Sequence, residues 1–303
     1  MLSEVYAAQV RLLLRVLAEL GEQDTLALKG GTAINLFVQN LPRLSVDIDL
    51  AYTGLEERAV ALEHIHAALS ELAQRLKRLG LQVFPTLLAG TSHWVKLVVS
   101  DGLVQIKVEV NPVLRGTLNP PLRLSTSPSV QEQFGYAEMS VLALPDLYAG
   151  KLVAALDRQH PRDLFDVHLF LEQQRLDRAT VEAFLIYLIS HARPPHEILN
   201  PTFRPLQAEF QRAFLGMTVQ PITIEELEAA RKDLLRSIHL NLTPEDRAFL
   251  VSVVSGKPNW SLIAHPEAAH LPAVRWKLQN VANMQIAKRE KAVLALENAL
   301  KLA

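Results

Sequence analysis

Asp47 and Asp49 stand two apart in Ser45-Val46-Asp47-Ile48-Asp49-Leu50, where acidic and apolar residues alternate as they do in a strand. Strand side chains alternate sides, so both carboxylates share one face while Val46, Ile48 and Leu50 anchor the other. Two anions this close repel, and a cation relieves them; all-oxygen ligands select Mg2+ or Mn2+ over softer ions. An Asp-x-Asp at a strand's end also suits a solvated edge, and the flanking residues argue against that. Lys29-Gly30-Gly31-Thr32 lies between a short apolar run and a helical pattern. Glycines there let backbone N–H groups approach an anion, and a helix start adds a favourable dipole. Gly30, Gly31 and Thr32 are therefore nucleotide-binding candidates. Ser45 either bonds phosphate or simply begins the strand. A third carboxylate, Glu109, alternates outward in Val104 to Val110, opposite Ile106, Val108 and Val110; alone it would equally suit an exposed strand position. Together these residues have what two-metal phosphoryl or nucleotidyl transfer requires.

The elements around them must hold that arrangement. Leu12, Leu13, Val16, Leu17 and Leu20 recur at helical spacing, predicting an amphipathic first helix. Thr25 to Leu28 reads as a buried strand, Gly30-Gly31 as a turn, Thr32 to Val38 as helix and Val46 to Tyr52 as the strand of the aspartates. A long helix over 55–79 ends at Gly80. Leu81 to Leu88, Trp94 to Ser100 and Val104 to Val110 read as strands, the last two joined by an Asp101-Gly102 hairpin. From Pro145 onward the pattern is helical. This order predicts an α/β (α+β) domain with a mixed sheet over 1–173, then a mainly α-helical domain over 174–303.

Composition narrows the chemistry. The 303 residues carry 31 Lys+Arg against 32 Asp+Glu and no cysteine. Thiolate catalysis, zinc-thiolate sites, Fe–S clusters and disulfides are excluded. No apolar stretch is long enough to span a bilayer, and Arg11 and Arg15 interrupt the first helix where a signal peptide would be apolar. A cytoplasmic protein without a membrane partner is expected. His64 and His66 are two apart on a helix and diverge, so they cannot share a metal. The last thirty residues are locally basic through Arg275, Lys277, Lys288, Arg289, Lys291 and Lys301, a candidate surface for nucleic-acid phosphates.

Two blocks carry a family resemblance. Gly30-Gly31-Thr32-Ala33-Ile34 with Arg43-Leu44-Ser45-Val46-Asp47-Ile48-Asp49-Leu50 is the first. The second is Lys151-Leu152-Val153-Ala154-Ala155-Leu156-Asp157-Arg158 with Pro161-Arg162-Asp163-Leu164-Phe165-Asp166-Val167. Both resemble the AbiEii/AbiGii toxin family, which includes the MenT toxins and belongs to the DNA polymerase β-like nucleotidyltransferases. Leu271 to Leu278 also looks like the tail of some members.

The resemblance implies a nucleotidyltransferase fold and roles for particular residues. Asp47 and Asp49 would be metal ligands, and Glu109 a third ligand or the base for the acceptor hydroxyl. Lys151, read as opening a helix, would be the triphosphate contact, and Asp166 the last catalytic acid; an Arg162–Asp166 ion pair is the plainer reading of the latter. The resemblance further implies a nucleoside triphosphate (NTP) substrate, Mg2+ (or Mn2+), a tRNA 3′ end as acceptor and a block to translation. A cognate antitoxin acting without a stable complex would accompany it. Transfer to a small molecule or protein, or a non-catalytic nucleotide-binding module, are the competing readings. The joint presence of Asp47, Asp49, Glu109, Lys151 and Asp166 speaks against the last.

Overall fold

A computed structural model describes residues 4–21, 23, 25–173 and 176–301. It divides into two compact units, Met1–Ala143 with Phe214–Pro221, and Leu144–Ala213 with Ile222–Ala303. The sequence reading draws its boundary at 173/174, beside Gln174 and Arg175, which lie outside the described residues. By packing, residues 144–173 group with the later helices.

The first unit runs α1 (Glu4–Leu20), β1 (Leu26–Lys29), α2 (Gly30–Ala33) continuing into a π-helical turn (Ile34–Val38), β2 (Asp47–Tyr52), α3 (Arg58–Arg78), β3 (Gln82–Leu87), β4 (Trp94–Ser100), β5 (Gln105–Asn111), β6 (Leu122–Ser125), α4 (Pro128–Gln133) and β7 (Glu138–Val141). The strands form one mixed sheet ordered β3-β4-β5-β2-β1-β7-β6. β2 pairs antiparallel with β1 and parallel with β5, and β1 pairs parallel with β7. The five longer or more apolar strands match their sequence signals. β6 and β7 were not anticipated: each has four residues, too few for a periodic signal, and pairing creates them.

Alternation divides the two faces of the sheet. Val83, Leu97, Val99, Ile48, Leu50, Ile106, Val108 and Val110 are buried, and α1 and α3 pack over the β4–β5 region. α1 contributes Leu13, Val16 and Leu17, and α3 contributes Leu62, Ile65, Leu69 and Leu72. Each such side chain contributes roughly 1.5–3 kcal/mol on burial. The segment Phe214–Pro221 rejoins this unit beside Pro42, Arg43 and Leu44, which lead into β2. Leu44 N–H donates to the Met217 carbonyl (2.7 Å), Val219 N–H donates to that of Pro42 (2.9 Å), and Arg43 bridges Thr218.

The second unit contains α5 (Leu144–Arg158), α6 (Pro161–Gln173), α7 (Arg178–Ser190), α8 (Pro195–Leu199), α9 (Gln207–Ala213), α10 (Ile224–Asn241), α11 (Pro244–Val254), α12 (Pro272–Ala282) and α13 (Ile286–Leu300). α5 packs on α7, and α6 on α10. Thr223 with Glu226, and Thr243 with Asp246, form capping boxes that satisfy N–H groups at the starts of α10 and α11. No helix among the described residues is long and apolar enough to cross a membrane.

Candidate active site

β2 is the centre of the site in the first unit. Asp47 and Asp49 are half-buried on the face opposite the buried Ile48 and Leu50. Asp49 lies in register with Lys29 on one side and Glu109 on the other, and Asp47 with Lys107. Directly paired strand residues project to the same side, so these five charged side chains share one face.

The glycine turn is fitted against this strand. Gly30 has φ +73°, a conformation that L side chains rarely adopt, and a Cβ there would lie 2.8 Å from Asp49 Oδ2. A Cβ on Gly31 would meet Arg43 Nη2 at 2.6 Å and Ser45 Oγ at 3.1 Å. Thr32 and Ser45 are buried; their hydroxyls share a 2.9 Å hydrogen bond, and Thr32 Oγ1 donates to the Asp47 carbonyl (2.5 Å). These two hydroxyls therefore tie the turn to the aspartate strand. The buried Arg43 donates to the Leu44 carbonyl (2.9 Å) and braces the same loop.

Gly30→Ala is expected to cost about 1–2 kcal/mol, because it strains the backbone and forces Asp49 to move. Activity should fall more than stability does. A thermal melt alongside a turnover assay would check this, and an unchanged turnover would show that the turn does not position Asp49.

Glu109 sits beside Asp49, but its carboxylate faces Lys96 on β4 (3.5 Å) and is 55% exposed. Among the described residues, no three His, Asp or Glu side chains are gathered to hold a metal by themselves. The donor set nonetheless suits Mg2+: this ion is commonly held by one or two carboxylates and completed by phosphate oxygens and water. Asp47 and Asp49 supply such a pair.

Lys151 and Asp166 belong to the second unit. Lys151 lies within α5 instead of opening it, because the helix already begins at Leu144. Its buried ammonium contacts Asp163 Oδ1 (2.7 Å) and Asp166 Oδ2 (2.8 Å) across the α5–α6 pair. Arg158 adds two hydrogen bonds to Asp163 (2.7 and 3.1 Å). Burial by itself would raise the Asp163 pKa, but Lys151 and Arg158 outweigh it and hold the carboxyl well below the usual carboxylate range. The spacing of Lys151, Arg158, Asp163 and Asp166 was legible in the sequence; the central place of Asp163 was not. Its signal was only its position three residues before Asp166.

The histidines diverge as their spacing requires. His64 Nδ1 meets the Tyr52 hydroxyl (2.8 Å), while His66 Nδ1 accepts from Trp94 N–H (3.1 Å). In the basic C-terminal region, Lys277 is committed to the carbonyls of His191, Ala192 and Arg193 (2.6, 3.4 and 3.1 Å), where it caps the end of α7. Arg275, Lys288, Lys291 and Lys301 are exposed.

Comparison with known proteins supplies the family. The model of the family described as "Nucleotidyl transferase AbiEii toxin, Type IV TA system" matches residues 11–280. Among solved structures, MenT4, a nucleotidyltransferase toxin from Mycobacterium tuberculosis H37Rv, is similar with a TM-score of 0.59 and 19% identity, over 91% of this chain and 93% of that one. Terminal uridylyl transferase 4 from Trypanosoma brucei with bound dUTP aligns with a TM-score of 0.30 and 15% identity, over 97% of this chain and 91% of that one. No curated protein matches the sequence. A mixed sheet with the aspartate pair on its open face, together with a family match over most of the chain, leads to one conclusion: the chain belongs to the AbiEii nucleotidyl transferase toxin family of type IV toxin–antitoxin systems and is a nucleotidyltransferase.

Proposed function

We propose that the chain transfers a nucleoside monophosphate from an NTP to the 3′-terminal hydroxyl of tRNA, and that this modification blocks translation. The observation that carries the transfer chemistry is the Asp47–Asp49 pair on an open sheet face, with the Gly30 turn fitted against Asp49. Family membership supports the toxin reading. In this reaction the acceptor oxygen bonds to the α-phosphorus, the bond to the β-phosphate's bridging oxygen breaks, and pyrophosphate leaves. Asp47 and Asp49 would hold Mg2+ (or Mn2+), which when bound neutralises charge on the triphosphate and orients it. The Gly30-Gly31-Thr32 turn and Ser45 keep the aspartate strand in place beside the nucleotide. Glu109, exposed one strand away, takes the proton from the acceptor hydroxyl or orients that hydroxyl. Lys151 is the proposed phosphate contact, with Asp163 and Asp166 setting its position, and Asp166 also serves as the final acid.

The proposed setting is the cytoplasm, where an antitoxin would restrain the enzyme without forming a stable complex with it. Incubating the protein with each α-³²P-labelled NTP, Mg2+ and total tRNA is expected to label tRNA and to release pyrophosphate. Label on a small molecule or on protein instead would replace the acceptor and keep the chemistry. No incorporation from any NTP into any acceptor would sink the reading.

A further inference from the structure

The sheet face that carries the aspartates extends outward over β5, β4 and β3. Asp47 is paired with Lys107, Lys107 with Val98, and Val98 with Phe84, so these four form one row on the same side of the sheet. The next row runs Asp49, Glu109, Lys96, Thr86. Leu97, Val99, Ile106 and Val108 bury the reverse side of β4 and β5, whereas this side is half-buried on β4 and exposed on β5 and β3. Lys107 is exposed and has no hydrogen-bond or ion-pair partner among the described residues, whereas Lys96 is matched by Glu109. Phe84 leaves 55% of its surface to solvent beside the half-buried Val98. Pro85 beside it removes an N–H from the edge strand, which argues against a partner adding itself as another strand.

We propose that the outer face of β5, β4 and β3 binds the single-stranded end of a polynucleotide acceptor. Lys107 takes a backbone phosphate next to the reacting end, and Phe84 stacks on a base farther along. This inference rests on the nucleotidyl-transfer reading and identifies the acceptor's binding surface. Charge and shape choose the ligand. An unmatched ammonium one strand from the metal-binding aspartate suits a polyanion, and an exposed aromatic ring on a flat sheet suits a splayed base. Phe84 lies three strands out from Asp47, about 14 Å at ordinary strand spacing, so a ligand touching both is an extended chain.

The test uses the full chain and a fluorescein-labelled single-stranded oligoribonucleotide, with total tRNA as the transfer acceptor. Lys107→Ala and Phe84→Ala are each expected to raise the KM for acceptor about tenfold and to weaken oligonucleotide binding similarly, with the KM for NTP unchanged. Lys107→Ala should also reduce the slope of log affinity against log salt by about 0.7. Lys232→Ala, an exposed lysine on α10, controls for general loss of charge. Both test positions are exposed, and unchanged thermal midpoints would confirm intact folding. If the wild type labels RNA and both variants behave like it, the docking surface is overturned and the transfer reading stands. If Lys107→Ala instead raises the KM for NTP, the lysine serves the triphosphate and the proposal fails. A wild type that neither binds nor labels RNA overturns both the docking surface and the tRNA acceptor, and the transfer chemistry stands only where label reaches another acceptor.

Discussion

Replacing Asp47 with Asn is expected to lower nucleotidyl transfer by about 10³-fold, equivalent to roughly 4 kcal/mol of transition-state stabilisation. The substitution keeps the size and shape of the side chain and removes the charge that a divalent cation requires. Structural damage should be small. Asp47 is half-buried, and the hydrogen bond that Thr32 donates goes to its backbone carbonyl, which the substitution leaves in place. The unfolding midpoint should therefore stay near that of the wild type while α-³²P incorporation collapses. Asp49→Asn should behave similarly, with a further effect on the turn because Gly30 packs against that carboxylate. Near-wild-type turnover in Asp47→Asn would remove the metal role from this strand.

Lys151→Met should produce the largest loss of stability, about 3–5 kcal/mol, because it removes the cation from between two buried carboxylates. Asp163 would keep its bonds to Arg158, and Asp166 would lose its contact with the ammonium. A urea titration would show this as a lower midpoint at similar slope. The same network sets an acid dependence. Asp163 is held ionised far below its ordinary pKa of 3.8, so below about pH 4 the unfolded chain binds a proton that the folded chain refuses. The stability conferred by this group is complete above that pH and is lost progressively as pH falls further. In Lys151→Met the depression should shrink, flattening the acid limb of the stability curve. A loss of unfolding free energy below about 1 kcal/mol would mean that the network contributes far less than its burial implies.

Phosphate binding and structural support by Lys151 can be separated by comparing the stability loss with the kinetic loss. Raising urea resistance with a stabilising osmolyte should restore folding in Lys151→Met. It would not restore the KM for NTP if the ammonium also meets the triphosphate.

Much of this protein was legible in its sequence because the signals were local. Period-two alternation put Asp47 and Asp49 on one face of β2 and Glu109 opposite the apolar residues of β5, and the Gly-Gly step marked a turn that only glycine suits; the β2–β5 register then set Glu109 beside Asp49. The two family blocks, each a pair of short runs close together in the chain, identified the enzyme class. Other features depended on partners distant in the chain. β7 exists because β1 offers it a parallel edge, and β6 because β7 then offers another. Lys107 carries no signal of its own in the alternation of β5 and gained meaning when register set it beside Asp47. The partners of two cations were hidden in the same way: Lys151, the proposed phosphate contact, is held between two buried aspartates, and Lys277, read as part of a basic surface, caps the end of α7. Spacing along the chain determines which face a side chain takes on its own element. Only the tertiary structure decides which charges are taken from solvent and what they meet there, because desolvation and pairing belong to neighbours that the local sequence does not contain.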